Sequence, residues 1–77
     1  MERFIIEHIP SGKVYCEDEG GSWLVDKKDP IISWGIRKEA EDMLAFLSDT
    51  ADQFERGKIF TEDGSFPKEE FEVTLLK

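Results

Sequence analysis

Ile36-Arg37-Lys38-Glu39-Ala40-Glu41-Asp42-Met43-Leu44-Ala45-Phe46-Leu47-Ser48-Asp49-Thr50-Ala51-Asp52-Gln53-Phe54-Glu55-Arg56-Gly57 is the stretch whose reading decides the fold class. Ile36, Ala40, Met43, Leu44, Leu47, Ala51 and Phe54 recur at spacings of four and three, which puts them on one face of an α-helix. Glu39, Glu41 and Asp42 stand in the first turns and Arg56 in the last, in keeping with the helix dipole, and Gly57 suits a left-handed cap. The pattern predicts a helix over residues 37–56.

On the N-terminal side the period changes to two. Residues 3–9, Arg-Phe-Ile-Ile-Glu-His-Ile, are rich in β-branched and aromatic types and end at Pro10-Ser11-Gly12, a turn. Residues 13–17 alternate polar and apolar on leaving it, so the two segments are expected to pair as an antiparallel hairpin. Glu17-Asp18-Glu19-Gly20-Gly21 reads as the next turn and residues 22–26 as a third strand. Pro30 then breaks the sheet pattern, because proline has no N–H to give a ladder, and Ile31 to Trp34 forms an extended bridge. Beyond the helix, residues 58–61 read as a short extended piece, followed by a Glu62-Asp63-Gly64-Ser65 turn and a boundary at Pro67. Phe71, Val73 and Leu75 alternate along a closing strand over residues 70–76.

These pieces predict one α+β domain over residues 1–77. It would be a small antiparallel sheet of three to four strands with one long amphipathic helix packed on one face, in the order β-β-β-α-β. The hydrophobic share of 39% closes a core at this length. With 77 residues the chain is too short for a second core.

Eighteen acidic residues against ten basic ones give a net charge of −8. That balance argues against direct binding to nucleic acid or to an anionic membrane, both of which need a basic face, and favours a basic protein surface as partner. One cysteine, Cys16, cannot form an internal disulfide, and the first residues lack a basic segment followed by a long apolar run. A cytoplasmic address is expected.

Chemistry is sparse. His8 and Cys16, the only residues of their kinds, fall on the two arms of the predicted hairpin, where a thiolate–imidazole pair could form; no oxyanion site or cleft is evident for it. Zinc wants about four N or S ligands, more than this pair supplies. Glu17, Asp18 and Glu19 lack the spacing of a calcium loop, and Gly20-Gly21 lacks the Lys and Ser or Thr of a phosphate loop. No cofactor, no metal and no enzymatic activity are expected.

Surface features say more. A projection at about 100° per residue groups Glu41, Asp42, Asp49 and Asp52 opposite the apolar stripe, with Lys38 and Arg56 flanking only the ends. Glu17, Asp18 and Glu19 form a second acidic cluster, and Trp34 is either packed under the helix start or an aromatic anchor for a partner. The strand-strand-helix-strand plan, the acidity and the ending Phe71-Glu72-Val73-Thr74 are similar to those of small bacteriophage inhibitors of host RNA polymerase. That resemblance covers the helix and last strand, rests on one four-residue string, and implies an acidic plug for a positively charged nucleic-acid channel.

The functional expectation is a small acidic interaction protein, phage and mobile-element inhibitors included, that occupies a basic site on a nucleic-acid-handling protein. Its partner-binding residues would be Glu41, Asp42, Asp49, Asp52, Glu17, Asp18, Glu19 and Trp34. The alternative is a structural or accessory subunit, homodimers included, that uses an exposed sheet edge or aromatic surface.

Overall fold

The computed structural model describes residues 2–28, 32–49 and 57–76. The elements are β1 (Arg3–His8), β2 (Lys13–Asp18), β3 (Gly21–Val25), α1 (Arg37–Asp49), β4 (Lys58–Thr61), β5 (Gly64–Pro67), a single 3-10 turn (Lys68–Glu70) and β6 (Phe71–Leu76). A four-stranded antiparallel sheet runs β3-β2-β1-β6, and β4 with β5 makes a second, two-stranded sheet.

The first hairpin forms as the sequence predicts. Gly12, at φ +72°, takes the left-handed turn conformation, and its N–H donates to the His8 carbonyl at 2.9 Å. β6 pairs along the whole of β1, from Arg3 opposite Leu76 to His8 opposite Phe71. β2 pairs with β1 only at Glu7–Val14 and His8–Lys13, yet pairs with β3 at five positions. The β2–β3 arm therefore swings away from the first half of β1. At Phe4 the vacant side of β1 is taken by Trp34, the two residues exchanging N–H···O bonds of 2.7 and 2.9 Å.

The order β-β-β-α-β is overturned. The described residues are mostly sheet, with six strands in two antiparallel sheets and one helix of 13 residues, in the order β-β-β-α-β-β-β. The plan on which the phage-inhibitor resemblance rested is therefore not the observed one. The added elements come from residues 57–70, where β4 and β5 form a hairpin around Glu62 and Asp63.

The long helix is overturned as well. α1 ends at Asp49, and the Gly57 N–H donates to the Ser48 carbonyl at 3.3 Å. The rest of the expected helix, residues 50–56, lies outside the described residues. Gly57 has the positive φ expected of it, +86°, and its carbonyl accepts the Lys68 N–H at 2.6 Å, so it links the helix end to the end of β5.

α1 lies against β1, β6 and β4. Ala40 and Leu44 are buried, and Met43 and Leu47 pack at the margin. Ile36, counted in the apolar stripe, is 58% exposed because it precedes the helix, while Ala51 and Phe54 lie outside the described residues. Ile6, Tyr15, Leu44, Ile59 and Phe71 form the main core, drawn from β1, β2, α1, β4 and β6. Ile5, adjacent to Ile6, is also fully buried, as are Val14 and Cys16. Successive strand residues face opposite ways, so the sheet buries residues on both faces.

Candidate functional site

The parting of β2 from β1 opens a cleft of about 570 Å³. Glu17, Asp18 and Glu19, at the end of β2 and in the turn after it, form one wall; Ile32, Ser33 and Trp34 form the other, and Met43 reaches in from α1. The structure thus joins the second acidic cluster to Trp34, although 15 positions separate Glu19 from Trp34. Trp34 is half-buried and packs against the main core, so its packing role and its place in the cleft wall coexist.

Each wall is fixed by local chemistry. The Tyr15 hydroxyl donates to Glu17 Oε2 at 3.1 Å, and burial, then the nearby Glu17 charge and that hydrogen bond, push the phenol up to about 12. Asp18 Oδ1 accepts the Gly20 N–H at 2.7 Å, the short-range bond by which aspartate bends a chain into a turn. The opposite wall is clamped by Arg3, whose Nε donates to Ser33 Oγ at 2.9 Å and whose Nη2 donates to the Ser33 carbonyl at 2.7 Å. Gly35 lets the strap pass this guanidinium, since a Cβ there would stand 3.2 Å from Arg3 Nη1.

Arg3→Ala is expected to loosen the strap. Hydrogen bonds from a charged donor contribute about 1.5–3 kcal/mol, less where water competes, so a loss of about 1–2 kcal/mol is expected in urea unfolding. The emission of Trp34, read in a Trp23→Phe background, should shift to the red. An unshifted spectrum would show that Arg3 does not hold the strap.

The helix ridge is less uniform than expected. The sequence pattern places basic residues only at its ends, but Arg37 lies 4.0 Å from Glu41 and Lys38 lies 3.4 Å from Asp42, both at i,i+4. The first half of the ridge is thus partly compensated because Arg37, one turn before Glu41, is part of the helix. Asp49 is exposed at the helix end, and Asp52 lies outside the described residues. Glu41, Asp42 and Asp49 do not line the cleft. Phe46, 62% exposed, was not singled out by the sequence pattern.

Elsewhere Lys27 pairs with Glu7 at 3.2 Å, and His8 Nε2 lies 2.8 Å from Glu70 Oε1. His8 and Cys16 do not form the pair that the hairpin suggested. His8 stands opposite Lys13, and Cys16, three residues further along β2, points to the other face. The His8 ring instead bonds Glu70 through Nε2 and Ser11 Oγ through Nδ1, at 2.8 and 2.7 Å, and lies 4.5 Å from the Phe66 ring and 4.9 Å from the Phe71 ring. Since the carboxylate can only accept, Nε2 donates to Glu70, while Ser11 Oγ also lies within reach of the His8 carbonyl at 3.4 Å. Both ring nitrogens are satisfied, as a histidine only 4% exposed requires. Ser11 was legible as a turn partner; Glu70, 62 residues away, carried no signal.

Among the described residues no three His, Cys, Asp or Glu side chains are grouped to hold a metal ion, and no helix is long and apolar enough to cross a membrane. No protein-family model matches the chain, and no curated protein and no solved structure is similar to it.

Proposed function

We propose that this chain is a non-enzymatic interaction protein that docks through its acid-walled cleft on a basic site of a cytoplasmic, nucleic-acid-handling protein. The observation that carries the reading is the juxtaposition of Glu17, Asp18 and Glu19 with Ile32, Trp34 and Met43 around one cleft. Carboxylates beside an aromatic and two aliphatic groups match a cationic surface whose side chains have long apolar stems. The net charge of −8 supports the reading, because it speeds encounter with a basic protein and repels nucleic acid itself. The single, buried Cys16 is compatible with a reducing compartment.

Charge reversal tests the proposal. Asp18→Lys with Glu19→Lys is expected to abolish capture of basic nucleic-acid-binding proteins from the source cells, whereas Asp42→Lys with Asp49→Lys should weaken it modestly. Partners retained by both variants with unchanged salt dependence would sink the idea.

A homodimeric accessory subunit joined by a sheet edge is the competing reading. Of the two outer strands, β3 is already occupied: the Glu62 N–H donates to the Ser22 carbonyl at 2.7 Å and the Leu24 N–H donates to Asp63 Oδ2 at 2.8 Å. That leaves β6, where Arg37 Nη1 donates to the Val73 carbonyl at 3.2 Å. Sedimentation at two salt concentrations separates the readings, since a salt-insensitive dimer would favour edge pairing.

A further inference from the structure

We infer that the group seated in the cleft is an arginine side chain of the partner, its guanidinium against the Trp34 indole and between the carboxylates of Glu17, Asp18 and Glu19. The inference rests on the docking reading and adds the chemistry of the occupant. Three features separate arginine from other cations. The cleft is lined as much by Ile32, Trp34 and Met43 as by acid. A lysine ammonium holds its water strongly and gains little there, whereas a guanidinium is weakly hydrated, stacks on an aromatic face and leaves its methylene stem on the aliphatic groups.

The second feature is the spread of the acids. No three carboxylates of the described residues are grouped as metal ligands would be, so a compact ion has no nest here. A planar cation with five N–H donors directed outward is suited to acceptors placed apart around a rim. Third, the wall is prepared. Tyr15 holds Glu17 and the Gly20 N–H holds Asp18 Oδ1, leaving Asp18 Oδ2 to accept from a ligand. A volume of about 570 Å³ admits a long side chain with its flanking backbone.

The experiment uses the full chain carrying Trp23→Phe, so that Trp34 is its lone tryptophan. It is titrated with two blocked octapeptides, Gly-Gly-Arg-Gly-Gly-Arg-Gly-Gly and the same peptide with lysine at both charged positions. Trp34 emission and backbone amide shifts are read at two salt concentrations. The arginine peptide is expected to bind about three- to fivefold tighter than the lysine peptide, the advantage a cation gains from stacking at a partly exposed ring. Shifts should centre on Glu17, Asp18, Glu19, Ser33 and Trp34. Asp18→Asn, whose amide oxygen can still accept the Gly20 N–H, with the exposed Glu19→Gln should weaken binding about tenfold and flatten its salt dependence.

Equal affinity for the two peptides with shifts centred on the cleft would overturn the arginine assignment and leave docking through the cleft standing, whereas shifts centred on the outer face of α1 would overturn both. Binding of neither peptide at low salt would overturn both.

Discussion

Phe71→Ala is expected to remove about 3–5 kcal/mol, most of the stability available to a domain of this size. Phe71 is 4% exposed and belongs to the core cluster with Ile6, Tyr15, Leu44 and Ile59. Its ring lies 4.9 Å from that of His8 and 6.3 Å, edge-on, from that of Phe66, so one side chain meets both sheets. Truncation leaves a cavity that neither sheet can close without moving, and it takes one of the two rings from beside the buried His8 imidazole. Urea unfolding followed by tryptophan emission measures the loss, with the exposed neighbour change Glu69→Ala as control, expected within about 0.5 kcal/mol of wild type. A Phe71→Ala midpoint close to that of the control would mean that the two sheets do not depend on this contact.

The second large effect concerns alkali. Tyr15 is the only tyrosine, it is 2% exposed, and its phenol is pushed up from 10.0 to about 12 by burial first and by Glu17 second. Below pH 10 the phenol is protonated in both folded and unfolded chains and its contribution is fully present. Between pH 10 and about 12 the unfolded chain gives up this proton while the folded one keeps it, so stability falls as pH rises through that window. A raised value of this size corresponds to a loss of about 2–3 kcal/mol by the upper end. Tyr15→Phe removes the titrating group, so its stability should decline less over the window, and the difference between the two proteins cancels the other titrations. Absorbance of the tyrosinate band in the native protein should rise with a midpoint near 12. A midpoint near the ordinary 10 would show that the phenol is open to water.

Much of the local structure was legible. Pro10-Ser11-Gly12 marks the first turn because glycine takes the positive φ there without the strain a Cβ brings, and alternation of Phe71, Val73 and Leu75 marks the last strand. Of the seven apolar residues that the spacing puts on one helix face, Ala40 and Leu44 are buried and Ile36 is exposed. β5 escaped notice, because Gly64-Ser65-Phe66-Pro67 contains one large apolar residue between small ones and ends in proline, leaving no alternation to read. Its strand state comes from pairing with β4, which places Ile59 opposite Phe66. The helix is shorter than its sequence pattern suggests for a related reason: apolar residues continue at helical spacing past Asp49, and periodicity alone does not fix a helix end.

The sequence by itself determined the chemistry of this protein: a surplus of carboxylates, an acidic turn after the second strand, an apolar stripe, and one tryptophan on the segment that leads to the helix. Only the tertiary structure decided which of these features share a surface. The cleft exists because β6 occupies one side of β1 along its whole length, β2 leaves the other side after two residue pairs, and Trp34 enters the space. Those contacts join residues far apart in the chain, and their register is chosen by which apolar groups fill the core together, a collective property that no local pattern encodes.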